Sequence, residues 1–406
     1  MNIALMTNNY KPFIGGVPIS VERLAKGLRA QGHQVTIFAP SYQGYHDPEG
    51  EQIVRYSSFL QKFIGGIVMP NPFDPVIEAE FQKQDFDVIH VHHPMLIGRM
   101  AVYLSHKYGL PLVFTYHTRY EQYVKAYAGW LPWADKFMPF YLHTFMKHCH
   151  RIIAPTAGMK EYLGKLGYEE ETITILPTGI DADHFQVTKE QCETIRCRYK
   201  ASGIPLFVSV SRMSNEKNIP FLLRSVAAFK KKYGQPFRLL MVGDGPQLSE
   251  YQKLCRQLSV EEEVVFTGKV ANEEIAPFYA AVDAFLFASK TETQGIVILE
   301  AFAGATPVIA VDATGVRDLV KHGENGFLVK EEEQVFAETI LHTIATPDLL
   351  TVLSQNAVQS AAGYHEEAVA RKAASLYNKV IAAHGLQNGK LTRKERALQW
   401  NGNIIF

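Results

Sequence analysis

The stretch Asp283-Ala-Phe-Leu-Phe-Ala-Ser-Lys-Thr-Glu-Thr-Gln-Gly-Ile-Val-Ile-Leu-Glu300 decides the fold, because it joins an apolar strand to an apolar helix through an acidic loop. A short continuous apolar run is typical of a strand buried inside a parallel sheet. Open α/β sheets bind ligands beyond the carboxyl ends of their strands. The sequence therefore predicts a ligand site in the loop that follows this strand.

The residue types in this loop indicate what the ligand contains. Backbone amides at Gly295, Ile296 and Val297 would open the helix and suit a phosphate, and glycine allows close approach. Glu292 and Glu300 lie too far apart for both to face that anion, and carboxylates accept hydrogen bonds from sugar or ribose hydroxyls. Phosphate together with hydroxyls favours a nucleotide sugar. The alternative is an ordinary strand-loop-helix unit with solvated glutamates.

Strands alternate with helices in both directions from this stretch. The pattern begins at Asn2 and repeats in the second half of the chain from Pro205. Such alternation predicts an α/β fold with two doubly wound, Rossmann-like parallel sheets, with the active site in a cleft between the domains. We place the first domain at 1–183, the second at 184–379, and a terminal helix that returns to the first domain at 380–406.

Size, charge and cysteine content exclude several classes of protein. At 406 residues two domains are expected. A formal net charge of zero and a pI of about 7.3 argue against a nucleic-acid binder. No apolar run reaches the roughly 18 residues that span a bilayer, and no signal peptide is visible. The four cysteines are scattered, which favours reduced thiols and a cytoplasmic protein, peripheral on the inner face of the cell membrane if its acceptor is a lipid.

Two cations follow the first strand of the second half. Arg212 can grip phosphate oxygens with its forked guanidinium, and Lys217 supplies a compact positive charge. Together they would neutralise a leaving diphosphate without a metal, and no metal or other cofactor is expected, since no carboxylate cluster suits magnesium. The alternative is a pair of surface cations matched by Glu216. Gly243, in a turn after the next strand, would line the nucleotide.

The first half carries weaker candidates. Gly15-Gly16 follows the first strand, and Gly16 would let a phosphate or sugar lie close to the backbone. His117 ends a strand at the same edge and, as a neutral imidazole, would hydrogen-bond the ligand. His90, His92 and His93 resemble a metal cluster, but His93 points away from the other two in a strand and no carboxylate completes a site. Metal binding is therefore not predicted there.

An aromatic and basic stripe runs from Tyr116 to Phe145 at helical spacing. Such a surface suits the interface of an anionic membrane, or a hydrophobic groove for an acceptor. A helical hairpin that packs its aromatic rings into the domain core would give the same pattern. The predicted acceptor or membrane contacts are Tyr120, Tyr123, Trp130, Trp133, Lys136 and Phe137.

Taken together, these motifs resemble the retaining glycosyltransferases of family four, which have the two-domain GT-B fold. The resemblance covers almost the whole chain and is most specific at Arg212 with Lys217 and at the two glutamates separated by seven residues. The further motifs that carry it are Gly15-Gly16, His117, Pro177-Thr-Gly-Ile-Asp181 and Gly243-Asp-Gly-Pro246.

The resemblance implies a role for each matched residue. Arg212 and Lys217 would bind the donor diphosphate, together with the backbone at 295–297. Glu300 would hold the ribose hydroxyls and Glu292 the hydroxyls of the donor sugar. His117 would contact the sugar near the reacting carbon, and Gly16 would allow the donor or acceptor to approach. No carboxylate is placed as a nucleophile, so attack of the acceptor on the front face of the sugar is expected.

The acceptor is less well determined than the reaction. Thr115-Tyr-His-Thr-Arg-Tyr-Glu-Gln-Tyr123 resembles a run in the subgroup that glycosylates membrane diacylglycerol, and UDP-glucose is the donor implied by resemblance. Soluble acceptors, namely small hydroxy acids, thiol precursors or polysaccharides, remain open, as do the hexose epimer, GDP in place of UDP, and the oligomeric state. A GT-B sugar-nucleotide epimerase and a noncatalytic sensor are the alternatives from other classes.

Overall fold

A computed structural model describes residues 1–61, 68–120 and 134–388. These residues form two compact units. The first comprises Met1–Gly179 together with the chain from Glu366 onward, and the second comprises Ile180–His365. Each unit is built around its own parallel sheet, and each is described separately below.

The first unit contains a seven-stranded parallel sheet with the strand order β3-β2-β1-β6-β7-β8-β9. Its strands are β1 (Asn2–Met6), β2 (Gln34–Pro40), β3 (Ile53–Tyr56), β6 (Val88–Val91), β7 (Leu112–Thr115), β8 (Arg151–Ala154) and β9 (Ile173–Ile175), and a small antiparallel pair is formed by β4 (Ser58–Leu60) and β5 (Met69–Pro70). Its helices up to Gly179 are α1 (Gly16–Ala30), α2 (Pro75–Lys83), α3 (Ile97–Tyr108), α4 (Ala134–Met146) and α5 (Ala157–Lys165).

The second unit repeats this plan with a six-stranded parallel sheet of order β12-β11-β10-β13-β14-β15. Its strands are β10 (Leu206–Val210), β11 (Arg238–Val242), β12 (Val264–Gly268), β13 (Ala284–Phe287), β14 (Val308–Val311) and β15 (Gly326–Val329). Its helices are α6 (Lys189–Arg198), α7 (Ile219–Tyr233), α8 (Leu248–Leu258), α9 (Ala276–Ala280), α10 (Ile296–Ala303), α11 (Glu333–Ala345) and α12 (Pro347–Ala362).

Successive residues of the strands pack into different cores. Ile3 and Leu5 of β1 join one apolar cluster, whereas Ala4 and Met6 join the cluster on the opposite face of the sheet. Side chains alternate along a strand, so a sheet covered by helices on both faces needs apolar residues at every position. This requirement explains the continuous apolar runs that identified the strands in the sequence.

Strand order in each sheet reverses at one pair of neighbouring strands. These pairs are β1 with β6 in the first unit and β10 with β13 in the second. At such a reversal the loops leaving the two strands diverge to opposite faces and open a crevice at the carboxyl edge of the sheet. The loops after β10 and β13 carry Arg212, Lys217 and Glu292. The loop after β1 leads to Gly16, and His92 directly follows β6.

The observed unit boundaries differ from the predicted ones at 183/184 and 379/380. The chain leaves the first unit after Gly179 and returns at Glu366, the first residue of α13 (Glu366–Asn388). Helix α13 packs on α1, where a Cβ on Gly27 would lie 2.7 Å from Cβ of Ala370. The absence of a side chain at Gly27 lets the helices approach closely, so the apolar face of α13 completes the first core from its first turn.

Short elements also lie between β2 and β6. Between residues 41 and 85 the structure contains β3, the β4–β5 pair and α2.

Within the residues that the structure describes, no helix is both long enough and apolar enough to cross a membrane.

Candidate functional site

An ion pair joins the loops that follow β10 and β13. The Nζ atom of Lys217 donates a hydrogen bond to Oε1 of Glu292 at 2.6 Å, and each side chain is about one-fifth exposed. Because β10 and β13 are neighbours in the parallel sheet, their carboxyl ends bring these residues together from positions 75 apart in the chain. The predicted cation and carboxylate therefore lie at the same edge, in direct contact.

The neighbouring Arg212 is partnered by Glu216. Oε1 of Glu216 accepts hydrogen bonds from Nη2 of Arg212 at 2.8 Å and from Oγ of Ser214 at 2.7 Å. The Arg212 side chain is 36% exposed, whereas Glu216 is 10% exposed. A guanidinium has five N–H donors in a planar fork, and the contact with Glu216 orients that fork.

The electrostatic environment keeps Glu292 ionised. Burial by itself raises the pKa of the Glu292 carboxyl, but the Lys217 ammonium, a hydrogen bond from Ser289 and the charge of Arg212 outweigh it. The pKa of Glu292 consequently lies below its ordinary value. Ser289 is 1% exposed and was missed in the sequence, where a serine after a strand carries no specific signal.

The loop after β13 ends at Gly295, where the sequence predicts that a helix begins. Gly295 has φ 76° and ψ 61°, a left-handed conformation that glycine adopts without strain, and it caps the N-terminus of α10. Ile296 and Val297, the first two residues of that helix, are partly exposed. First-turn amides of a helix have no intrahelical acceptor, so these residues offer N–H donors to an anion.

Glu300 lies deeper than Glu292. It is 5% exposed, and its Oε2 accepts a hydrogen bond from the hydroxyl of Tyr279 at 2.8 Å. The hydrogen bond from Tyr279 orients the carboxylate of Glu300. Each carboxylate oxygen has two lone pairs, so a carboxylate can accept more than one hydrogen bond.

Two glycines support the loops of this site from behind. Gly243 has φ 130°, and a Cβ there would lie 2.0 Å from the carbonyl oxygen of Ser211, next to Arg212. Gly315 has φ 81°, and a Cβ there would lie 2.4 Å from the carbonyl oxygen of Glu292. The structure shows that both glycines are needed for close packing against the backbone of the site.

Three histidines lie close together at the ends of β6 and β7, where His90 and His92 are buried and His117 is partly exposed. Nδ1 of His92 and Nε2 of His117 are 2.8 Å apart, and their rings stack. The His90 ring lies 4.2 Å from the His92 ring, while its own nitrogens contact the hydroxyls of Tyr377 and Thr115, each at 2.7 Å. Within the described residues, no group of three or more candidate ligands is placed to hold a metal ion.

Burial keeps this cluster neutral. It lowers the pKa of His90 to about 3 and that of His93 to about 3. Burial, assisted by neighbouring imidazoles, also holds the pKa of His92 and of His117 well below the ordinary value of 6.5. An imidazole beside a sugar would therefore act as a neutral hydrogen-bonding group, as predicted for His117.

Gly16 begins α1 and is exposed, at the carboxyl edge of the first sheet. The preceding Gly15 has φ −178°, an extended conformation open to any residue, and a Cβ there would meet only the Phe13 ring, at 3.0 Å. The backbone of this turn therefore does not itself require glycine at Gly15. The predicted role of Gly16 stays a prediction that concerns a ligand.

The aromatic stripe divides between the core and the surface. Tyr120 is 6% exposed and its ring packs edge-on against Tyr116, so it lies in the core instead of on the predicted acceptor surface. Phe137 and Phe140 of α4 are 49% and 69% exposed. Tyr123, Trp130 and Trp133 lie outside the described residues, as does the side chain of Lys136.

Comparison with known proteins connects both units to sugar transfer. Residues 14–184 match the profile of Glycosyltransferase Family 4, and residues 194–360 match that of Glycosyl transferases group 1. The alpha-monoglucosyldiacylglycerol synthase of Streptococcus pneumoniae is 30% identical over 354 residues, which cover 86% of this chain and 80% of that protein. The alpha-monoglucosyldiacylglycerol synthase of Acholeplasma laidlawii is 28% identical over 405 residues, which cover 97% of this chain and 100% of that protein.

Further matches include one more sequence relative and a solved structure. A GDP-mannose-dependent alpha-mannosyltransferase of Corynebacterium glutamicum is 27% identical over 84% of this chain and 81% of that protein. The crystal structure of HepE from Anabaena in complex with UDP has a TM-score of 0.74 at 20% identity, covering 93% of this chain and 100% of that one. The predicted GT-B class, with two Rossmann-like parallel-sheet domains, is confirmed.

Proposed function

This chain belongs to glycosyltransferase family 4, and we propose that it transfers glucose from UDP-glucose to a hydroxyl of membrane diacylglycerol with retention of the anomeric configuration. The contact between Lys217 and Glu292 carries the proposal. The contact supports the proposal because a positive charge, which would suit a departing diphosphate, stands beside a carboxylate, which would suit sugar hydroxyls, at the reversal point of the second sheet.

The second unit would hold the donor. Arg212, Lys217 and the first amides of α10 would bind the diphosphate, and Glu300 would accept hydrogen bonds from the ribose. In the absence of donor, Lys217 is neutralised by Glu292, so neither charge is left unpaired. Lysine has three N–H donors, which allows it to contact the diphosphate while it keeps its bond to Glu292.

Charge separation in the reaction explains why cations are needed. The bond between the anomeric carbon and the β-phosphate oxygen breaks, and a bond from the acceptor oxygen forms on the same face of the sugar. The acceptor proton passes to the departing phosphate oxygen. Negative charge grows on the diphosphate in the transition state, where fixed cations stabilise it more than in the ground state.

Two observations favour a lipid acceptor. The relatives from S. pneumoniae and A. laidlawii are both named alpha-monoglucosyldiacylglycerol synthases. In addition, Phe137 and Phe140 are exposed on α4, and exposed aromatic side chains insert readily into the interface of a membrane. The same surface makes peripheral association with an anionic membrane part of the proposal.

A soluble acceptor and a different donor remain the alternatives. Burial of Tyr116 and Tyr120 shows that part of the aromatic stripe is explained by core packing alone. The mannosyltransferase relative uses a GDP-linked sugar by its name, which keeps GDP-mannose as a second donor to test.

Nucleotide release from UDP- and GDP-sugars, with and without diacylglycerol in anionic vesicles, tests the proposal. We expect UDP release from UDP-glucose only when the lipid is present, and its loss in Arg212→Ala. The matched control is Arg224→Ala, because Arg224 pairs with Glu333 on the exposed surface of the same unit. UDP release at the same rate with and without vesicles would point to a soluble acceptor. An equal loss of UDP release in Arg224→Ala would contradict the proposed site.

A further inference from the structure

A small cavity lies inside the first unit, beneath the histidine cluster. Its volume is about 20 Å³, and its polar lining includes His92 of the cluster, Thr178 and Glu366. Two polar atoms of its lining residues, Nε2 of His92 and Oε2 of Glu366, have no hydrogen-bond partner within the described part of the chain. Both side chains are more than nine-tenths buried, at 1% and 7% exposure. Buried polar atoms are seldom left without partners, so the cavity calls for an occupant.

The size and chemistry of the cavity fit one water molecule. About 10 to 15 Å³ of such volume accommodates a water, which needs two to four polar partners. Nε2 of His92 and Oε2 of Glu366 supply two. The hydroxyls of Ser20 and Thr178, which contact each other at 2.9 Å, lie in the same lining.

The two sides of the cavity are held in place by other contacts. Oε1 of Glu366 pairs with Nζ of Lys26 at 2.7 Å, which leaves Oε2 as the oxygen of the cavity. On the other side, Nδ1 of His92 contacts Nε2 of His117 at 2.8 Å. The cavity, His92 and His117 therefore lie in one chain of polar groups that starts at Glu366.

We propose that this cavity binds a single water molecule that bridges Glu366 and His92, and that Glu366 and His92 are positioning residues which fix the tautomer of His117. An ionised carboxylate only accepts hydrogen bonds, so the water donates to Oε2 of Glu366. A water that donates to a carboxylate becomes a stronger acceptor, which favours donation from Nε2–H of His92.

The direction of each hydrogen bond then follows from the first. With its proton on Nε2, His92 can only accept at Nδ1, so His117 donates from its Nε2–H. Nδ1 of His117 then carries the lone pair, and this is the form of an imidazole that can accept a hydrogen bond from a sugar hydroxyl. This last step rests on the proposed function, whereas the water and the tautomer do not.

Nitrogen-15 NMR of histidine-labelled full-length protein tests the tautomer directly. We expect His117, assigned with a His117→Gln variant, to carry its proton on Nε2. Glu366→Gln puts an N–H donor within reach of the cavity water and should shift His117 toward the Nδ1–H tautomer. Glu367→Gln, a neighbouring exposed carboxylate, should leave the spectrum unchanged. An Nδ1–H tautomer in the unmodified protein, or no change in Glu366→Gln, would overturn the proposal.

Kinetics separate positioning from a structural role. Glu366→Gln should lower kcat by about tenfold and leave KM for the nucleotide sugar unchanged, because the donor-binding residues are untouched. A lower melting temperature with an unchanged kcat would reduce Glu366 to its ion pair with Lys26 and overturn the proposal. If the unmodified protein transfers no sugar, the proposed function fails, and the NMR experiment still decides the tautomer.

Discussion

The two units use opposite electrostatics at equivalent places in the same fold. At the reversal point of the second sheet stand charged pairs, Lys217 with Glu292 and Arg212 with Glu216. At the carboxyl edge of the first sheet stand neutral, buried histidines such as His92. Fixed charges stabilise a departing diphosphate, whereas a neutral hydrogen-bonding surface suits uncharged hydroxyls. Under the proposed function, one architecture would serve two tasks through the residues that follow its strands.

The largest effect is expected for Lys217→Ala, which alters the charged pairs of the second unit. The change removes a cation from the predicted diphosphate site and leaves Glu292 without its ammonium partner. Loss of one preorganised charge at a leaving group costs about a hundredfold to a thousandfold in kcat. UDP release in the vesicle assay measures the loss.

Lys232→Ala is the control for that variant. Lys232 pairs with Glu338 at 2.5 Å on the surface of the same unit, so its loss removes the same charge away from the site. A comparable drop in both variants would mean that net charge, and not the position of Lys217, sets the rate.

Acid should destabilise the first unit at a higher pH than the second. The pKa of His90 falls from 6.5 in the unfolded chain to about 3 in the folded protein, so stability is lost as pH drops below about 6.5, when only the unfolded state takes up protons. The pKa of Glu292 is lowered from 4.5, so its contribution is lost only below about pH 4.5. Each strongly shifted histidine costs up to a few kcal/mol of unfolding free energy.

Hydrogen exchange resolved by unit measures this difference. Between pH 7 and pH 5.5, after correction for intrinsic exchange, we expect the first unit to lose protection while the second retains it. Earlier opening of the second unit would show that its ion pairs, and not the buried histidines, are the acid-sensitive element.

Gly243→Ala probes how closely the donor loop must be held. A Cβ at this position would collide with the carbonyl oxygen of Ser211 and displace Arg212. A displacement of about 1 Å in a binding group can cost up to about a hundredfold, so we expect KM for the nucleotide sugar to rise by about tenfold to a hundredfold. Steady-state kinetics over a range of donor concentrations provide the test.

Gly234→Ala separates the collision from backbone strain. Gly234 also has a positive φ, of 68°, but a Cβ there would meet nothing within 4 Å. This variant should lower the melting temperature slightly and leave KM unchanged. Equal KM values in the two variants would remove Gly243 from the support of the donor loop.

Much of this arrangement could be predicted from the sequence, because buried parallel strands require continuous apolar runs. The loop from Ser289 to Gly295 follows such a run, and for this reason the sequence predicts a ligand site there. The contact between His92 and His117 could not be predicted in this way. It joins positions 25 apart and depends on the register of β6 and β7, in which Val91 pairs with Phe114.

Helical spacing also left two questions that only packing answers. Tyr120 and Phe137 belong to the same aromatic stripe, yet one is buried and the other exposed, because spacing defines a face without saying what covers it. The helix at Glu366 has an apolar face that would suit either unit. Its place on α1 depends on the close approach at Gly27, which no local pattern reveals.

The smallest expected effect concerns the exposed aromatic rings of α4 in the first unit. Replacing both Phe137 and Phe140 by serine removes apolar surface that would enter a membrane interface. Since interfacial binding scales with the buried apolar area, we expect binding to anionic vesicles to weaken by about fivefold, with UDP-glucose binding unchanged. Phe73→Ser is the control, because Phe73 is 69% exposed, as is Phe140, but precedes α2. If the control weakens vesicle binding as much as the double variant, the α4 surface has no special role and the lipid acceptor loses its structural support.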